Sequence, residues 1–229
     1  VKRFYREAAP APAEGGVAIL LDGRRVRTPA RNPFVVPTEE LAEAIAAEWN
    51  KQGEEVDPRA MPLTGLANAA IDRVAPDPGT FAKGLAAYGE SDLLCYRAEG
   101  PAPLVRRQEE QWDRLLSWAR RRYDIDFETV CGIMHRPQPA ETVDRLAHAV
   151  AARDPFRLAA LSPLVTISGS LVIALALAEG EVGLEEAWAA ATLDEAWQAA
   201  QWGVDPLGAA ALAERRRDFD AAYGFLTLL

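Results

Sequence analysis

The spacing of apolar residues changes at Pro37, and that change limits the fold more than any other feature of the chain. Before Pro37 the apolar spacing is two. Val17, Ile19 and Leu21 alternate with their neighbours, Asp22-Gly23 follows, and Arg25 and Arg27 alternate with Val26 on the return. An Asp-Gly pair between two such runs marks a tight hairpin, because both turn positions need positive φ. Phe34-Val35-Val36 adds a short strand, while the Ala/Pro stretch from Ala8 to Ala13 is expected to be mobile. After Pro37 the spacing becomes three and four. Thr38 is placed to cap a helix that opens with Glu39 and Glu40, puts Leu41, Ile45 and Trp49 on one face and stops by Gly53.

The remaining chain reads mainly as helix. Helices are expected over 61–73, 79–88, 103–122, 139–152, 184–202 and 206–224. On the long 103–122 helix, Leu104, Gln111, Leu115 and Trp118 lie near one face. Runs at 93–98 and 125–131 read as short strands. The fold class is therefore α+β. Residues 1–37 form a small β-rich N-terminal domain, which the two later strands are candidates to join, and residues 38–229 form a mainly helical domain.

From Leu158 to Ala178 there is no charged residue, a length that could span a bilayer. Ser162-Pro163 and Ser168-Gly169-Ser170 interrupt it and favour two short buried helices joined by a turn. No signal peptide is expected from the opening Val-Lys-Arg-Phe-Tyr, which has no apolar stretch behind it.

Charge and composition exclude several functions. With 25 basic and 34 acidic residues the net charge is −9, which argues against general nucleic-acid binding and against adhesion to anionic lipid. Cys95 and Cys131 are far apart and His135 and His148 are the only histidines, so no clustered zinc site is expected. No glycine-rich phosphate loop precedes a helix, and no cofactor is implied.

One carboxylate stands out. On a continuous 184–202 helix, Leu184, Trp188, Ala191, Glu195, Gln198 and Trp202 form a single stripe, which sets Glu195 between tryptophans. Such a charge calls for an arginine partner, a docking edge or a catalytic role. Asp194 should point away into solvent. Trp197 lies on the opposite side of the helix and is the best candidate for an exposed anchor.

Several segments together resemble one family. They are Arg3-Phe4-Tyr5; Leu21-Asp22-Gly23-Arg24 with Thr28-Pro29; Leu41-Ala42 through Glu48-Trp49 and Gln52; Met61-Pro62; Asp72; Asp92-Leu93-Leu94-Cys95-Tyr96-Arg97; Gln108 with Trp112; and Leu193-Asp194-Glu195 with Gln198 and Trp202-Gly203. Their order resembles the assembly chaperone for the α subunit of the soluble catalytic sector of F-type ATP synthase. The resemblance implies a non-enzymatic protein that binds the unassembled α subunit, shields its subunit interface and yields to the β subunit. It implies a functional acidic position at Glu195, with Asp194 as the adjacent alternative, and the expected partner surface also takes in Gln198, Trp197, Trp202 and Trp49. A monomer is expected, in the bacterial cytoplasm or, in a eukaryote, the mitochondrial matrix. Two other readings stay open: an enzyme pairing Glu195 with Asp92 or Asp72, and a general holdase.

Overall fold

The computed structural model describes residues 2–229, and the chain is α+β as the spacing implies. It divides into two compact units. The first is built from the described residues through Pro78, with Asp154–Ala160 and Ala221–Leu229; the second from Gly79–Arg153 and Leu161–Asp220. The expected boundary after Pro37 falls inside the first unit, where the following helix packs on the sheet.

In the first unit, strand β1 (Ala8–Ala13) pairs antiparallel with β2 (Gly16–Leu21), and β2 pairs on its other side with β3 (Arg24–Arg25) and β4 (Val35–Val36). Asp22 and Gly23 have φ of 47° and 80°, the two positive values that the hairpin requires. Gly16 is obligatory for another reason, since a Cβ there would lie 2.2 Å from the Val36 carbonyl oxygen.

The Ala/Pro stretch is a strand rather than a mobile segment, and its register explains how two prolines fit. The Asp22 amide donates to the Glu7 carbonyl at 3.0 Å, so this pair is hydrogen-bonded. Pairing continues with Ala8 opposite Leu21. Ladder bonds alternate, so the N–H positions of residues 8, 10 and 12 point away from β2. Pro10 and Pro12 therefore forfeit no ladder bond. The Ala8 amide and carbonyl are both engaged by the side-chain amide of Asn50, each at 2.8 Å.

Asn50 ends helix α1 (Glu39–Asn50), whose N-cap is Thr38 with its Oγ1 accepting from the Leu41 amide at 3.3 Å. Leu41 and Ile45 are fully buried against Ile19, Phe34 and Val36. Helix α2 (Pro62–Ala69) follows and runs on into a wider turn over 70–74. There Asp72 accepts from the Thr28 hydroxyl, the Asn32 amide group and the Ala30 N–H, fixing the loop after β3.

The second unit is helical. Its members are most of α3 (Pro78–Ala86), α4 (Ala102–Tyr123), α5 (Ala140–Ala151), the C-terminal half of α6 (Pro155–Ser168), α7 (Leu171–Ala178), α8 (Leu184–Ala191), α9 (Leu193–Trp202) and most of α10 (Pro206–Thr227). The two later strand candidates shrink to β5 (Tyr96–Arg97) and β6 (Val130–Cys131), which pair in parallel with each other and do not join the N-terminal sheet. Residues 125–129 have no strand neighbour. The Gln138 side-chain amide substitutes for one, donating to the Glu128 carbonyl and accepting from its N–H, each at 2.9 Å. On α4 the buried glutamine is Gln108 and not Gln111.

The uncharged segment forms the expected helix–turn–helix, although Pro163 sits within α6 and the break falls at Gly169, whose φ is 68°. Every residue of α7 from Leu171 to Leu177 is buried. The turn is locked by Asp92, a fully buried carboxylate. It accepts from the Ser170 hydroxyl at 2.6 Å, the Val172 amide at 2.9 Å and the Leu94 amide at 3.1 Å. Burial pushes this carboxyl up to about 6 despite those donors. Among the described residues, no helix is long and apolar enough to cross a membrane.

Candidate functional site: an apolar groove at the C-terminal elbow

The expected single helix over 184–202 is two helices. At Thr192 the backbone departs from helical values (φ −112°, ψ 17°), and the threonine hydroxyl donates back to the Trp188 carbonyl at 2.8 Å. A β-branched residue that offers its own hydroxyl to the preceding turn competes with the helix, and here it ends α8. The helix is therefore broken within the expected stripe, yet Trp188, Glu195, Gln198 and Trp202 still line one groove together.

Helix α9 buries only Leu193 among its ten residues. It ends at Gly203, whose φ of 86° turns the chain back. Asp205 then caps α10, its carboxylate accepting from the Leu207 amide at 3.3 Å and the Gly208 amide at 2.9 Å. This elbow carries bare apolar side chains. Trp202 is 79% exposed, Val204 68% and Leu207 82%.

Between α9 and the first half of α10 lies an open groove of about 750 Å³, lined by Trp188, Ala196, Ala199, Trp202 and Leu212. Its wall is held by two arginines of α10. Arg215 donates to Glu195 at 2.7 Å and to the Ile167 carbonyl at 3.2 Å. Arg216 pairs with Glu185, bonds Asp220 at 2.6 Å and lies 5.3 Å above the Trp188 ring. The Arg215–Glu195 pair ties α10 to α9 across the groove, while the Trp202 side chain at its mouth stays exposed.

Of the residues singled out in the sequence, Trp188, Glu195, Gln198 and Trp202 line this groove together. Glu195 is about half exposed and paired with Arg215, so its charge has a partner at the groove edge and not in the core. Asp194 is half-buried, contrary to the expectation of exposure. Its Oδ1 accepts from Gln108 at 2.8 Å, and Gln108 in turn accepts from the Ala98 amide at 2.9 Å. Trp197 is half-buried beneath the Arg107 guanidinium, 5.0 Å from the ring, and the exposed tryptophan is Trp202. Trp49 belongs to the first unit, where it stands edge-on to Tyr5 at 5.5 Å.

Reading the sequence missed Val204, Leu207, Leu212 and Arg215. The Gly203-Val-Asp-Pro-Leu run carried the signal for an elbow, since glycine past a helix and Asp-Pro before the next one mark both ends. The run Arg215-Arg216-Arg217 carried the signal for a counter-charge.

The carboxylates that an enzyme would need are committed elsewhere. Asp92 is buried and saturated by the α7 turn. Asp72 holds the loop after β3 in the first unit. Asp205 is occupied as a cap.

The model of the ATP12 chaperone protein family matches residues 2–120. The chain belongs to the ATP12 chaperone family. It is 26% identical over 214 residues to the mitochondrial protein atp12 of Schizosaccharomyces pombe, covering 88% of this chain and 74% of that one. The crystal structure of Atp12 from Paracoccus denitrificans superimposes with a TM-score of 0.94 at 42% identity, covering 99% of this chain and 97% of the other. A putative chaperone from Agrobacterium tumefaciens gives a TM-score of 0.95 at 44% identity, with 99% and 85% covered. The family resemblance read from the sequence is thus borne out, and the function is that of a chaperone and not of an enzyme.

Proposed function

We propose that this chain is the assembly chaperone for the F-type ATP synthase catalytic sector. It binds the unassembled α subunit, covers the surface that later meets β, and is displaced when β arrives. The observation that carries this reading is the bare elbow of Trp202, Val204 and Leu207 beside an apolar groove. A monomeric protein rarely leaves large apolar side chains clustered in water without a partner for them. An orphan α subunit has the complementary problem of an uncovered apolar interface.

The groove suits reversible capture. Trp202 and Leu207 supply apolar anchors at low cost in ordering, because α9 and α10 are formed beforehand. The Glu195–Arg215 pair is half exposed, so either member can be re-engaged by a charged or backbone group of the client. Gln198 adds a group able both to donate and to accept. The protein acts as a monomer in the compartment where the catalytic sector assembles, the bacterial cytoplasm or, in a eukaryote, the mitochondrial matrix.

Co-expression with the α subunit of the same organism, followed by size-exclusion chromatography, tests the reading. The expected result is a soluble complex of the two chains that dissociates when β is added. Insoluble α, or α eluting alone, would overturn it. A chain that protects unrelated unfolded proteins as well as it protects α would be a general holdase instead.

A further inference from the structure

The first unit carries a second feature that the groove does not use. Between positions 1 and 36 there are seven Lys and Arg against three Asp and Glu, in a chain whose net charge is −9. Among the described residues, the ion pairs involve arginines elsewhere, and no carboxylate pairs with Arg24, Arg25 or Arg27. Arg24 and Arg25 make up the exposed strand β3, and Arg27 is exposed just beyond it. All three line one depression of about 560 Å³.

The floor of that depression is aromatic. Phe4 is 71% exposed and edge-on to Tyr5 at 5.4 Å, and Tyr5 is edge-on to Trp49. The floor is rigid. Tyr5 donates its hydroxyl to the Trp49 carbonyl at 2.7 Å, and Arg3 lies 4.7 Å above the Tyr5 ring while donating to the carbonyls of Tyr5 and Gln52. The one carboxylate present, Asp22, is already committed. It accepts from the amides of Arg6 and Glu7 at 3.0–3.1 Å, and those bonds hold it below the usual carboxylate range.

We infer that this depression is a docking site for a short acidic segment of a partner protein, with an apolar or aromatic side chain seated on Phe4. Three guanidiniums without a carboxylate partner, of which Arg27 donates to the Arg31 carbonyl at 2.9 Å, repel one another and offer forked donors matched to carboxylates. An exposed aromatic beside them offers a contact that a bare cationic patch lacks. The chain's overall negative charge repels long polyanions beyond the patch, so a short acidic segment fits better than nucleic acid. The inference does not depend on the identity of the client at the elbow groove.

The test is fluorescence anisotropy of a labelled glutamate-rich peptide with one central phenylalanine, titrated with the full chain at low and high salt. Saturable binding is expected, weakened about tenfold by raising the salt or by R24E/R25E, because exposed charge pairs are screened over about a Debye length. Phe4→Ala, or glycine for the peptide's phenylalanine, should weaken it about threefold by removing apolar burial. R24Q/R25Q serves if the charge reversal disturbs folding, which circular dichroism would report. Absence of saturable binding, or equal affinity of the arginine variants, would overturn the inference. So would a heparin fragment that competes as well as the peptide while Phe4→Ala changes nothing, since that pattern describes a general anion patch. Peptide binding that survives while capture of α fails would leave this site standing and remove the other.

Discussion

Two parts of the helical unit carry large apolar side chains and are treated in opposite ways. Helix α7 is apolar all round and entirely covered. The elbow carries Trp202, Val204 and Leu207 around the Asp205 cap and leaves all three in water. The difference lies in polar anchoring. Around α7 every backbone donor at the turn is met, chiefly by Asp92 and Ser170, so the helix can be enclosed on all sides. At the elbow, Gly203 and Asp205 settle the backbone with local bonds alone, so the side chains stay free for something outside the chain. Burial is thus set by where the polar groups find partners, and hydrophobicity alone does not predict it.

Changes that break this contrast should have the largest effects. Leu175→Ala in α7 should destabilise the fold by about 3 kcal/mol, read from urea unfolding, because it opens a cavity where nothing can relax. Asp92→Ala should cost about 2–3 kcal/mol by stranding buried donors from Ser170, Val172 and Leu94. At the elbow the same measurement should barely move. Trp202→Ala and Leu207→Ala should each change stability by less than about 0.5 kcal/mol, and their combination should abolish co-elution with the α subunit.

A smaller effect sharpens the comparison through pH. Asp92 is pushed up to about 6 from an ordinary 3.8, so the folded chain binds its proton more tightly than the unfolded chain does. The cost of keeping it ionised is therefore present in full above pH 6. It is relieved as pH falls through that value toward 4, a slope of at most about 1.4 kcal/mol per pH unit. Unfolding free energies of the native chain and of Asp92→Asn, compared across pH 4 to 7, should differ by this slope. Glu179 runs the other way: burial pushes it up, but the bonds from Tyr123 and Arg122 and the charge of Arg153 outweigh that and hold it low. The smallest change is Glu195→Gln, which should alter stability by less than about 1 kcal/mol because the pair with Arg215 is half exposed. It should weaken α binding several-fold in a pull-down titration.

Much of the fold is legible in the residues themselves. The Asp22-Gly23 turn, the Thr38 cap and the buried helix pair follow from local chemistry, and the structure bears them out. What periodicity could not show was Thr192, one residue whose hydroxyl divides a regular pattern. That single break splits the helix, although Trp188, Glu195, Gln198 and Trp202 still line one groove, and it is Asp194 that is half-buried. Long-range partners are equally invisible to spacing. Nothing near residue 195 announces Arg215, and nothing near residue 194 announces Gln108. The exposure of Trp202 rather than Trp197 depends on Arg107, which comes from a helix far back in the chain.

The strand β1 has a consequence for a chaperone. Its outward edge offers no free N–H: Ala8 is held by Asn50, and Pro10 and Pro12 have none. Sheets extend from chain to chain by such edges, and fibrils grow by repeating the step. A protein whose work keeps it beside incompletely assembled chains is exposed to that reaction more than most. Without donors on its outward side, this edge is a poor template for it.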